Sequence, residues 1–230
     1  MGRALQSSKQ EILTSLKRTG GSTVDGLAQA IGLSPVTVRQ HLTALQRDSL
    51  VEAAVIRRPT GRPHYEYRLT RNGEDSFPRR YDRLAVSLIE EIAVMDVEQL
   101  AGLEASQRMS LLLRRVSHRL ALQYAPQVQN RPLEERVAAA TEFLHADGGF
   151  AEWEKTDRGY EIRDYNCVFS SLGGGNGAGC EWHLNFLRWL LGTHVRAEPV
   201  EGCANCCRCV VELEPGADRS EAPVSSPRLP

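Results

Sequence analysis

Residues 22–51 read STVDGLAQAIGLSPVTVRQHLTALQRDSLV, and this stretch decides the fold of the first third of the chain. Val24, Leu27, Ala28 and Ile31 form an apolar stripe at helical spacing, and Gly32 ends that helix. Ser22 fits its N-cap, with Asp25 three residues on in a capping-box pattern. Ser34 caps a second helix, with Pro35 in its first position, where a missing N–H costs nothing. On that helix Val36, Val38, Leu42 and Leu45 are assigned to the inner face. Thr37, Arg39, Gln40 and Thr43 are left on or near the outer one.

Upstream, residues 6–21 (QSSKQEILTSLKRTGG) place Ile12, Leu13 and Leu16 on one face of an earlier helix that stops at Gly20-Gly21. Downstream, LVEAAVIRR (50–58) and HYEYRLT (64–70) read as two strands joined by the turn-rich tip Pro59-Thr60-Gly61-Arg62-Pro63. Helix, helix, tight turn, helix and hairpin is the order of a winged helix–turn–helix. Such a unit lays its recognition helix in the major groove of double-stranded DNA, which nominates Ser34, Thr37, Arg39, Gln40 and Thr43 as base readers. Arg57, Arg58 and Arg62 on the wing are suited to the phosphate backbone or the minor groove. A winged helix used for protein contacts is the bland alternative. The charge distribution favours DNA: residues 1–80 hold 13 Lys and Arg against 7 Asp and Glu, a net +6, while the remainder carries 15 against 22, a net −7.

Beyond residue 80 the pattern turns helical, with Leu84, Leu88 and Ile92 and then Leu111, Leu112, Val116 and Leu120 at three- and four-residue spacing. Residues 133–146 predict another helix, and short strands follow near 150–156 and 160–166. A glycine-rich loop spans 170–179, a helix 180–192, and strands fall near 193–199 and 207–214. The fold class is therefore α+β. It divides into a DNA-binding domain (1–79), a helical dimerisation or linker region (80–131), a cysteine-rich α+β sensor domain (132–214) and a Pro/Ser-rich tail (215–230) expected to be disordered. No apolar run reaches the roughly 18 residues of a membrane span, and the N-terminus lacks a signal-peptide pattern. A cytoplasmic protein without membrane contact is expected.

All six cysteines, Cys167, Cys180, Cys203, Cys206, Cys207 and Cys209, fall in the last third of the chain. Structural disulfides are disfavoured in a reducing cytosol, and a thiol cluster without a secretion signal is more often a metal or cluster site. Cys167 falls at a strand end and Cys180 at a helix start, where the dipole and free N–H groups favour a thiolate. Four thiolates satisfy tetrahedral zinc or an iron–sulfur cluster, and ligands spread over several elements suit a cluster better. A reversible disulfide involving Cys206 or Cys209 is a further option. Any single cysteine can equally be a small buried hydrophobe.

The front segment TVDGLAQAIGLSPVTVRQHLTALQRDSLV, with the wing RRPTGRPHYEYRLT, resembles the ArsR/DeoR-like winged-helix regulators. The rear, with Tyr165-Asn-Cys167-Val-Phe169, Cys180-Glu, Leu190-Leu191-Gly192 and Cys207-Arg-Cys209-Val-Val, resembles the sensor half of SufR-type regulators, and the likeness spans most of residues 7–213. The resemblance implies a homodimeric repressor that holds a 4Fe–4S cluster and controls cluster-assembly genes. It implies ligation by Cys167 and Cys180, with Cys207 or Cys209 as the terminal ligand. The chain departs from the four-cysteine form in having His194 where a cysteine is expected, with Cys203 and Cys206 extra. Those three are the candidates for the remaining ligand. No set of nucleophile, base and orienter points to an enzyme, and His183 beside Glu181 reads as a solvated helical pair. A zinc- or other metal-responsive winged-helix regulator is the competing function.

Overall fold

The fold is described from a computed structural model over residues 2–56, 64–146, 148–168, 178–198 and 206–212, excepting the side chains of 2–7, 97 and 178–180. These residues form two compact units, one ending at Pro78 and one beginning at Arg79.

In the first unit, α1 (Gly2–Thr19), α2 (Val24–Ile31) and α3 (Pro35–Arg47) precede the hairpin β1 (Val51–Ile56) and β2 (His64–Leu69) and the short α4 (Arg71–Asp75). The N-cap of α2 is Thr23, whose hydroxyl accepts from the Gly26 N–H at 3.1 Å, and not Ser22 as expected. Ser22 is occupied elsewhere: its N–H and C=O pair with Tyr67 of β2 at 2.9 and 2.7 Å, so the backbone crossing between α1 and α2 adds a bridge to the wing. Gly32 turns the chain with φ of 68°, a left-handed conformation that favours glycine, and its N–H returns to the Ala28 carbonyl. Ser34 caps α3, with Pro35 in the first turn. The core joins Ile12 and Leu16 of α1, Leu27 of α2 and Val38, Leu42 and Leu45 of α3, each at most 1 % exposed. Lys17 is also buried. Its ammonium pairs with Glu74 and lies 5.3 Å from the centre of the Phe77 ring, so α1 is tied to the segment after the wing.

In the second unit the expected helical stretch consists of separate helices. α5 (Tyr81–Ala93) gives way to a 3-10 turn at Val97–Leu100, and α6 (Ala105–Val128) starts afresh with a capping box between Glu104 and Gln107. α5 and α6 are held together by the buried Glu91, which pairs with Arg115 and with Arg119 at 2.7 Å. α7 (Leu133–Ala146) leads into β3 (Ala151–Thr156) and β4 (Gly159–Asp164). α8 (Ala178–Leu191), β5 (Val195–Glu198) and β6 (Cys207–Glu212) complete the unit. The described sheet is antiparallel with order β3-β4-β6-β5. Period-two alternation turns Ile162, Cys209 and Val211 toward the helices, where they join Leu187 and Leu191 of α8 in one core. The other face carries a charge ladder: Glu161, 3 % exposed, pairs with Arg163 and, at 2.6 Å, with Arg208. α8 packs along α6, and the Trp189 ring meets His118 at 4.2 Å.

Candidate nucleic-acid face and thiol site

On α3 and its N-cap the exposed positions are 34–36, 39, 40, 43, 46 and 47, with Thr37 half-buried. Val36, Arg39, Gln40 and Thr43 recur at the three- and four-residue spacing of one helix face. Val36, assigned inward from sequence, is 63 % exposed, and the inner position is taken by His41 at 6 %. The Ser34 hydroxyl is engaged by the Thr37 N–H at 3.1 Å and lies 2.8 Å from the Thr37 hydroxyl. Thr43 donates to the Arg39 carbonyl at 2.9 Å. Arg39 and Gln40 reach solvent with no side-chain partner among the described residues. They are therefore the two base-reading candidates whose donors and acceptors are uncommitted. Arg57, Arg58 and Arg62 lie outside the described residues.

The second site forms where β4, β6 and α8 meet. Cys167 stands three residues past the end of β4, and Cys207 opens β6 in register with Asp164. His183 sits on the buried face of α8, 2 % exposed. Its Nδ1 lies 3.6 Å from Cys167 Sγ and its Nε2 lies 3.1 Å from Asp164 Oδ2. The donor atoms of Cys167, His183 and Cys207 all lie within 4.8 Å of one another, and all three residues are buried. Asp164 is fixed by backbone: its Oδ1 accepts from the N–H groups of Phe150 at 3.1 Å and Asn166 at 2.9 Å. A hydrogen bond from Cys207 holds the Cys167 thiol down to about 5; His183 adds to this and burial opposes it. Burial works to lower His183, yet the charges of Cys167 and Asp164 raise it well above the ordinary histidine range.

The sequence reading overlooked His183, treating it as solvated. The missed signal is its spacing: three residues after Cys180, with apolar Trp182 and Phe186 around it, it falls on the inner face of a helix that covers the sheet. Of the other candidates, Cys209 is buried two residues along β6, opposite Ile162 and Ala197, and is not part of the three-residue group. His194 is exposed. Cys206 is disulfide-bonded. Cys180 lies in the first turn of α8, and its side chain is outside the described set, as is Cys203.

Chemically, two soft sulfurs and an imidazole at this separation can ligate a metal. Cys167, His183 and Asp164 also have the composition of a nucleophile, a base and an orienting carboxylate. A nucleophile must meet substrate, whereas these three residues are 1 %, 2 % and 3 % exposed.

A family model described as winged helix-turn-helix DNA-binding matches residues 5–52, from α1 into β1. Comparison with curated proteins and with solved structures gives no match. The N-terminal unit thus carries a winged-helix DNA-binding domain, the kind of domain that suggests a transcriptional regulator. No helix among the described residues is long and apolar enough to cross a membrane.

Proposed function

We propose that the protein is a transcriptional repressor that binds double-stranded operator DNA as a homodimer and senses iron–sulfur or redox status through a thiolate-ligated centre, with cluster-assembly genes as its targets. The observation that carries this reading is the meeting of Cys167, from the end of β4, and Cys207, from the start of β6, beside the helix whose first turn contains Cys180. Cys167, Cys180 and Cys207 would hold a 4Fe–4S cluster, with Cys209 the alternative terminal ligand. When bound, such a cluster supplies redox and oxidant sensitivity. The thiols themselves tie two strand ends to α8. Because α8 packs along α6, and α6 is ion-paired to α5, a change at the thiols has contiguous helices through which to act on the apolar face of α5.

A second reading, zinc or another single ion, is favoured by the compactness of the donors. Tetrahedral zinc with sulfur ligands sets them ~3.7 Å apart, comparable with the 4.8 Å limit observed. A cluster spreads its thiolates over separate irons. Purification without air separates the two. A brown protein with iron and sulfide supports the cluster, a colourless one with stoichiometric zinc supports the single ion, and a metal-free protein that takes up neither refutes both.

A further inference from the structure

We propose that His183 is itself a ligand of this centre, through Nδ1, and that Asp164 positions it through Nε2. The inference rests on the reading that the second unit holds a thiolate-ligated metal. It assigns the nitrogen donor that the cysteine pattern leaves open.

His194, eleven residues beyond His183, is exposed and offers nothing to the buried thiols. The buried imidazole is instead on α8, one turn after position 180. Its geometry is that of a carboxylate–histidine–metal relay. The Asp164 carboxylate is anchored before it touches the ring, because Oδ1 is taken by two backbone N–H groups and Oδ2 is left for His183 Nε2 at 3.1 Å. A carboxylate acceptor at Nε2 keeps the proton on that nitrogen, so Nδ1 presents its lone pair. That lone pair faces Cys167 Sγ at 3.6 Å, with Cys207 Sγ inside the same 4.8 Å sphere. Trp182 stands edge-on to the ring at 5.0 Å, which limits its rotation.

Packing alone does not account for the group. Shape alone does not call for two sulfurs converging on one nitrogen of a ring whose other nitrogen is held by an anchored carboxylate, in a site nearly closed to water. A divalent ion on Nδ1 and the two thiolates balances the thiolate charge and leaves the Nε2–H to Asp164. Forming this arrangement displaces the Nδ1 proton of any imidazolium, and the Cys207 thiol proton, to solvent.

The test uses the full chain, stripped of metal and titrated without air with cobalt(II) alone, and in parallel reconstituted with iron and sulfide. Cobalt is read by its thiolate charge-transfer band, its visible bands and its X-ray absorption fine structure. Wild type should show sulfur scatterers together with the outer-shell pattern of one imidazole. His183→Gln keeps a side-chain amide able to donate to Asp164 but removes the ring nitrogen. It should lose the imidazole pattern, keep the thiolate band and bind at least about ten-fold more weakly. Asp164→Asn should weaken cobalt binding by about 10- to 100-fold with the thiolate band unchanged. His183→Cys should restore tight binding with a stronger thiolate band, which a purely structural role would not produce. Imidazole absent from the wild-type spectrum, or His183→Gln matching wild type in affinity and spectrum, overturns the assignment of His183 while leaving a thiolate centre intact. Wild type that takes up neither cobalt nor iron overturns the metal reading itself, and this inference with it.

Discussion

At the scale of single residues, what counts is which groups remain uncommitted. The side chains of Arg39 and Gln40 have no partner among the described residues, whereas Ser34, Thr37 and Thr43 spend hydroxyl groups on their own helix. Arg39→Ala is therefore expected to cost about 1–3 kcal/mol of specific operator binding, with little effect on non-specific DNA. The check is a pair of titrations, operator and scrambled duplex, at one salt concentration; equal losses on both would reduce Arg39 to a phosphate contact. The same reasoning separates Cys207 from Cys209. Both face the helices from β6, but only Cys207 joins Cys167 and His183, while Cys209 packs in the core. Cys207→Ser should abolish metal uptake. Cys209→Ser should retain it and lower thermal stability, since a hydroxyl is less readily buried than a thiol. Metal content and melting temperature on the same samples decide it, and the reverse pattern would move the site one step along the strand. These distinctions were only partly legible. The six clustered cysteines mark the region of the candidate site, but Cys207 and Cys209 lie on the same face of a strand, and no spacing rule chooses between them. His183 was missed because burial of a helix face depends on the sheet beneath it. Val36 was placed inward and is exposed, because the inward stripe of α3 is set by α1 and α2.

At the scale of elements, the winged helix could be read because its signals are local: caps at Ser34 and Gly32, a stripe every three or four residues, and alternating strands around a turn-rich tip. The parts that could not be read depend on distant contacts. α4, five residues long, owes its place to Gly73, which lies against the Leu50 carbonyl so closely that a Cβ would collide with it. Thr70 anchors the same junction, donating its hydroxyl to the Ser49 carbonyl at 2.6 Å. Gly73→Ala should thus destabilise the N-terminal unit by about 3 kcal/mol, because backbone and not a flexible side chain must move. Denaturant unfolding of the full chain, followed by a probe in that unit, would show it; a neutral substitution would mean that the hairpin and α4 part easily. In the second unit, β4 and β6 are joined across the sheet's charged face by Glu161 between Arg163 and Arg208. Burial acts to raise the Glu161 carboxyl, but the two guanidinium groups win and hold it below the usual value of 4.5. A carboxyl depressed by folding contributes stability that is complete well above 4.5 and is lost as pH falls through the lower folded value. Glu161→Gln should lower the melting temperature at pH 7 and flatten its decline between about pH 5 and 3. An acid limb as steep as wild type would place the acid-sensitive groups elsewhere.

At the scale of the whole molecule, the face of α5 opposite its ion pairs is left uncovered by the described residues. Val86, Ile89 and Ile92 are 55 %, 66 % and 57 % exposed, and Val94 at the helix end is 62 % exposed. Val86, Ile89 and Ile92 recur every three residues, as in a packing stripe, while the other side of the same helix is fixed to α6 through Glu91. In the proposed homodimer, a two-fold axis through such a stripe would bury it against itself. It would also present two recognition helices to the two half-sites of an operator. A single winged helix contacts too few base pairs to select one site tightly, so loss of the dimer should appear as loss of affinity with the base preference of each half-site retained. Ile89→Glu places a charge at the most exposed position of the stripe and opposes it to its own symmetry mate. It is expected to yield a folded monomer at micromolar concentration, with at least a ten-fold loss on a full operator and little change on an isolated half-site. Sedimentation equilibrium read alongside both titrations makes the outcome specific. If Ile89→Glu remains dimeric and binds the operator as wild type does, the subunits meet elsewhere, and α5 cannot be the helix through which a change at Cys167 and Cys207 reaches the DNA.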